Sequence, residues 1–130
     1  MIKSTIDVAG YWSVVLFVDV DYDKYDIIES ALTDILAPIS VIDEIYDKIS
    51  YEYNAGVTFT NSDFRTSVVC INKATSREEL INTISHEADH VQDIICKYYD
   101  VPLDSEQAAY LIGYLVGKMY YKSRRLFCSY

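Results

Sequence analysis

A chain of 130 residues, 51% of them apolar, is long enough to bury one core, and residues 1–130 read as a single domain with no linker. The net charge of -9 argues against a nucleic-acid partner, which is held largely by clustered Lys and Arg. Cys70, Cys96 and Cys128 are odd in number and lack metal-site spacing, as expected of reduced thiols in a cytoplasmic protein rather than of a disulfide framework.

Residues 11–20 are nearly continuous in Val, Phe, Trp and Tyr, the pattern of a strand buried on both faces and therefore central in a sheet. The run has no basic segment before it and no small-residue cleavage site after it, so it is not read as a targeting signal. Asp19, Asp21 and Asp23 have the opening spacing of a calcium loop. Lys24 and Ser30 stand where that loop needs Gly and Glu, and the segment reads instead as an acidic helix start. Ile27, Ile28, Ala31, Leu32, Ile35 and Leu36 recur at helical spacing over residues 26–37. Beyond Pro38, Ile42, Ile45, Tyr46 and Ile49 mark a second helix over residues 39–53, with Asn54-Ala55-Gly56 as its stop. Residues 56–60 and 66–72 are β-branched runs around a polar turn, which predicts a hairpin.

Ser76-Arg77-Glu78-Glu79 is a capping box, and Leu80, Ile84, Val91, Ile95 and Tyr98 carry the helix onward. Within it His86-Glu87-Ala88-Asp89-His90 reads H-E-x-x-H. Helical residues four apart lie about 40° apart around the axis and about 6 Å along it, so both imidazoles project to one side and can close on one ion. They fall roughly opposite the apolar stripe, which seats one helix face on a core and offers the other to a cleft; the alternative is a solvated polar face. Hydrolytic zinc takes three protein ligands and one water, and Glu106, sixteen positions beyond His90, is the candidate third ligand. With Asp104 as N-cap, Glu106 falls in the first turn of the next helix, where the dipole favours an ionised carboxylate. Ala109, Gly113 and Gly117 continue its stripe. Each helix-interior Gly costs about 1 kcal/mol relative to Ala, so two on one face predict a close backbone approach that brings Glu106 to the metal. The apolar run 108–116 is too short to span a membrane, and Lys118, Lys122, Arg124 and Arg125 complement the dipole at the helix end.

The H-E-x-x-H of residues 86–90, followed by a glutamate on the next helix, resembles the zincin metallopeptidases, and among them the gluzincins of small, single-domain minigluzincin type. The likeness spans roughly residues 66–117 and, outside the motif, is one of pattern. It implies an α+β, zincin-like fold with a small twisted sheet packed against helices. It further implies a Zn2+ ion on His86, His90 and Glu106, Glu87 as general base, and a peptide or protein substrate; charge and the short apolar runs separately argue against nucleic acid and membrane as partners. Two departures stand out. Many gluzincins back the first histidine with an aspartate four residues after the ligand glutamate; that place is Tyr110 here, leaving Asp89 and Asp93 as alternatives. Larger relatives add a histidine for the oxyanion, whereas both histidines here are committed. Tyr110 and Tyr114 are candidates for that role, with plain packing as their alternative. The expected activity is zinc-assisted peptide hydrolysis, with an extended substrate pairing along an exposed edge of the sheet, for which the strand at 66–72 is the candidate. Hydrolysis of another bond, or a non-catalytic zincin-fold module binding a partner through a tyrosine-rich surface, are the competing readings.

Overall fold

The computed structural model of the chain describes residues 1–127; Cys128 lies outside them. The first strand, β1 (Ile2–Val8), is written by alternation: Ile2, Ile6 and Val8 are buried while Lys3, Thr5 and Asp7 are exposed. It is not among the elements expected above, because its polar alternate residues dilute the apolar signal. Ala9 and Gly10 both take positive φ (52° and 80°) to turn the chain into β2 (Trp12–Val18). β2 is the interior strand expected from its nearly continuous apolar run, and it feeds both faces of the sheet. Trp12, Val14, Leu16 and Val18 enter one core cluster and Phe17 enters the other.

The two helical patterns become α1 (Tyr25–Asp34) and α2 (Ile39–Tyr51). Their buried residues Tyr25, Ile28, Leu32, Ile42, Ile45 and Ile49 pack on the face that carries Phe17, Val68 and Cys70. The hairpin forms as β3 (Gly56–Asn61) and β4 (Thr66–Ile71), with Arg65 in the left-handed region at the turn. α3 (Arg77–Tyr98) and α4 (Glu106–Ser123) cover the opposite face, where Leu80, Ile84, Ala88, Val91, Ile95, Leu115 and Met119 meet Val14, Leu16, Val69 and Ile71. The architecture is α+β: a four-stranded mixed sheet of order β1-β2-β4-β3 between two helical layers. β1 and β2 are antiparallel, β2 and β4 parallel, and β3 and β4 antiparallel. No helix among the described residues is long and apolar enough to cross a membrane.

Three expectations are corrected. The strand at 66–72 is not an edge: β4 pairs with β2 on one side and β3 on the other, and the free edges belong to β1 and β3. The N-cap of α4 is Ser105, not Asp104, with Ser105 Oγ accepting from the Ala108 amide at 3.2 Å; Glu106 remains in the first turn. The glycine stripe marks no close helix approach. Gly113 and Gly117 are exposed, and a Cβ on either would have nothing within 4 Å. The contact face of α4 is instead the side of Ala108, Leu115 and Met119, whose apolar bulk already fills the space over the sheet.

Since both glycines occupy open helical positions, Gly113→Ala and Gly117→Ala should each stabilise the fold by about 0.5–1 kcal/mol through reduced unfolded-state entropy. Urea midpoints of the two variants measure it; a drop in either would mean that this face of α4 is covered.

Candidate metal centre

The site begins at the turn between α2 and β3. Asn54 adopts φ 64° and holds three segments together. Its amide donates to the Lys73 carbonyl (2.9 Å), its Oδ1 accepts from the Thr75 amide (2.8 Å), and its carbonyl accepts from Thr83 Oγ1 (2.8 Å). The first half of α3 is thereby tied against the start of β3. Gly56 lets the two meet: a Cβ there would lie 2.7 Å from Thr83 Cγ2 and 2.8 Å from Glu87 Oε2.

Glu87 points into this seam and is only 2% exposed. Its Oε1 accepts from Thr58 Oγ1 on β3 at 2.9 Å, the one hydrogen bond to this carboxylate among the described residues. A buried carboxylate normally needs several donors or a cation to offset its lost hydration. The nearest groups able to recruit one are His86 and His90, on the exposed side of α3. Their Nε2 atoms stand 3.2 Å apart and their rings meet edge to face. Two imidazoles bonded to one tetrahedral zinc at about 2.0–2.1 Å would place their nitrogens roughly 3.3 Å apart, so the pair is already at ligating separation. One potential ligand atom from each of His86, Glu87 and His90 falls within 4.8 Å of the others, the only such group of three among the described residues. These three, with Lys48, Gly56, Val57, Thr58 and Ile94, line a cleft of about 210 Å³ between α2, the β3 edge and α3.

The remaining expected residues lie elsewhere. Glu106 is exposed and outside the group of three, at the head of the solvent-facing stripe of α4. Near it Gln92 of α3 reaches across to α4, its Nε2 donating to the Ala108 carbonyl at 2.7 Å. Tyr110 is 75% exposed, and Tyr114 donates its hydroxyl to the Asp7 carbonyl at 2.9 Å; both border an apolar groove with Val8, Tyr11 and Leu111 and neither lines the histidine cleft. Asp93 accepts from Lys97 at 2.8 Å rather than backing an imidazole, and neither histidine Nδ1 has a hydrogen-bond partner among the described residues. Cys70, buried behind the seam, is inert: burial, and then the Glu87 charge, push its thiol up to about 12.

Gly56, Thr58 and Lys48 were not singled out from sequence. The available signal was Gly56 itself, which reads as a helix stop but also opens a strand, where a glycine marks a close approach of another element. No family model, curated protein or solved structure matches the chain.

The seam predicts a specific coupling. Gly56→Ala should destabilise the protein by about 1–3 kcal/mol by overpacking. Thr83→Ser removes the methyl that the new Cβ would strike while keeping the hydroxyl bonded to Asn54, so the double variant should recover part of the loss. Strict additivity across the four denaturation midpoints would show that this contact is not the limiting one.

Proposed function

We propose that the protein is a zinc-dependent peptidase of zincin type, with His86 and His90 holding the ion and Glu87 as general base. One observation carries the reading: two imidazole nitrogens at ligating separation beside a buried carboxylate that has a single neutral donor. The two imidazole nitrogens suit zinc, which takes histidine readily. Bound there, zinc would supply the Lewis acidity that makes water acidic near neutral pH and polarises a carbonyl.

The chain's own residues supply the rest. Thr58 fixes one oxygen of Glu87, leaving the other to take a proton from water and return it to the leaving amine. The outer edge of β3 borders the same cleft, so an extended peptide added to it would pass in front of Glu87. Val57 and Ile94 give the cleft an apolar lining that limits competing water. The buried, unpaired thiols of Cys70 and Cys96 accord with a cytoplasmic setting.

A second reading rests on the closeness of Glu87 to both imidazoles. If Glu87 is itself a third ligand, the centre is a binding module without a base. Glu87→Gln separates the two. As a base, its loss should leave zinc content and folding intact while peptide hydrolysis falls by about 10² to 10⁴. Zinc lost together with Glu87 would make it a ligand, and a wild-type protein free of zinc after chelator-free purification would end both readings.

Zinc affinity should collapse in His86→Ala and in His90→Ala. Glu106→Gln should leave it within about twofold, because that carboxylate stands outside the group of three. A loss of tenfold or more in Glu106→Gln, measured by competition with a chromogenic chelator, would return Glu106 to the ligand set.

A further inference from the structure

Among the described residues Lys48 is the one Lys or Arg that lines the histidine cleft. It sits in the last turn of α2, whose neighbouring residues Ile45 and Ile49 are buried in the core, so the backbone that carries it is firmly seated. Glu44 stands one turn earlier, at the spacing where helical ion pairs form. Among the described residues no carboxylate oxygen nevertheless lies within 4.0 Å of the Lys48 ammonium, whereas Lys97 makes that contact with Asp93 at 2.8 Å on α3. The carboxylate inside the cleft, Glu87, is bonded to Thr58 instead. Among the described residues Lys48 is therefore a positive charge without an ion-pair partner at a site boundary, on a protein of net charge -9.

The position is as informative as the charge. Lys48 faces the cleft from the α2 side and the two histidines face it from the α3 side, with Gly56, Val57 and Thr58 of the β3 edge also in its lining. A chain laid along that edge would pass between ammonium and imidazoles. At about 210 Å³ the cleft is smaller than the roughly 300–1,000 Å³ of sites that enclose a whole ligand, so it takes a short segment of substrate at a time.

We propose that Lys48 is a specificity-determining residue that selects peptides carrying a carboxylate next to the segment held in the cleft. The carboxylate comes from an acidic side chain or from the peptide's own C-terminus. This inference rests on the peptidase reading for its substrate class, but the selection itself is a binding property and is tested as one.

The test uses full-length Glu87→Gln protein, with and without zinc, and three probes: Ac-Ala-Ala-Glu-Ala-NH2, Ac-Ala-Ala-Gln-Ala-OH and Ac-Ala-Ala-Gln-Ala-NH2. At low salt one or both acidic probes should bind about 5- to 10-fold more tightly than the neutral amide, and the preference should shrink in 0.5 M NaCl. Which acidic probe wins distinguishes a side-chain from a terminal carboxylate. Adding Lys48→Met should bring the ratio to about one, Lys48→Arg should retain it and Lys48→Glu should invert it. Equal binding of all three probes, binding of none, or a preference that survives Lys48→Met overturns the proposal. A Lys48-dependent preference in a protein that neither binds zinc nor cleaves peptides would keep the inference and refute the peptidase.

Discussion

The close approach of β3 to α3 at Gly56 is the constraint on which the candidate site depends. At this point the edge strand offers no side chain of its own, and the side chains of Thr83 and Glu87 on α3 occupy the space a Cβ would take. The same contact sets the register between Thr58 and Glu87, so the hydrogen bond that orients the carboxylate follows from backbone packing. Asn54 reinforces it by binding the β4–α3 link and α3 from one left-handed position. Burial of Glu87 is thus forced by the seam. A carboxylate held under a strand with one hydroxyl donor costs the fold stability, and a cation on the adjacent imidazoles would offset that cost.

The sheet explains why α3 can carry such a load. Leu80, Ile84, Ala88, Val91 and Ile95 bind one side of the helix to the inner strands, with α4 alongside through Leu115 and Met119. The opposite side is left to His86 and His90, which follows from helical periodicity once the stripe is buried. β3 stays partly exposed because it is the edge strand, and this opens the cleft between the two helical layers. α4 buttresses the arrangement: Gln92 satisfies the Ala108 carbonyl in the groove, and the buried face of α4 meets the core while its glycines face solvent.

What was legible in the sequence follows the strength of each local signal. The nearly continuous run at 11–20, the hairpin around residues 61–65, the helix start at Ser76, whose Oγ accepts from the Glu79 amide, and the helix bearing H-E-x-x-H all appear as expected, because each rests on periodicity or turn chemistry within a few residues. β1 escaped because an edge strand with one wet face alternates apolar and polar residues, and its alternation covers only Ile2, Ile6 and Val8. Strand order was not legible either. Nothing local to residues 66–72 reveals that a parallel β2 lies beside them, and this non-local pairing makes β4 interior. The glycine argument failed for a related reason: Gly113 and Gly117 weaken a helix whether they face a neighbour or water, and only the packing of α4 decides which. Glu106 was drawn towards the metal by that argument and by resemblance, not by a contact its own residues dictate.

The histidine pair carries a last consequence. At 3.2 Å the contact is favourable when one Nε2 presents a proton and the other a lone pair. Ligating one metal through both Nε2 atoms requires the protonated ring to move its hydrogen to Nδ1, and a partner at Nδ1 is what usually makes that tautomer cheap. Among the described residues neither Nδ1 has such a partner, and Asp93 is held by Lys97. Losing that outer support typically costs 10–100-fold in metal affinity. The geometry is therefore stronger on the carboxylate than on the ion: Glu87 is fixed by strand, hydroxyl and burial, while the imidazoles are fixed only by the helix that bears them. A metal on these two imidazoles would lack the outer hydrogen bonds that usually fix a ligating ring.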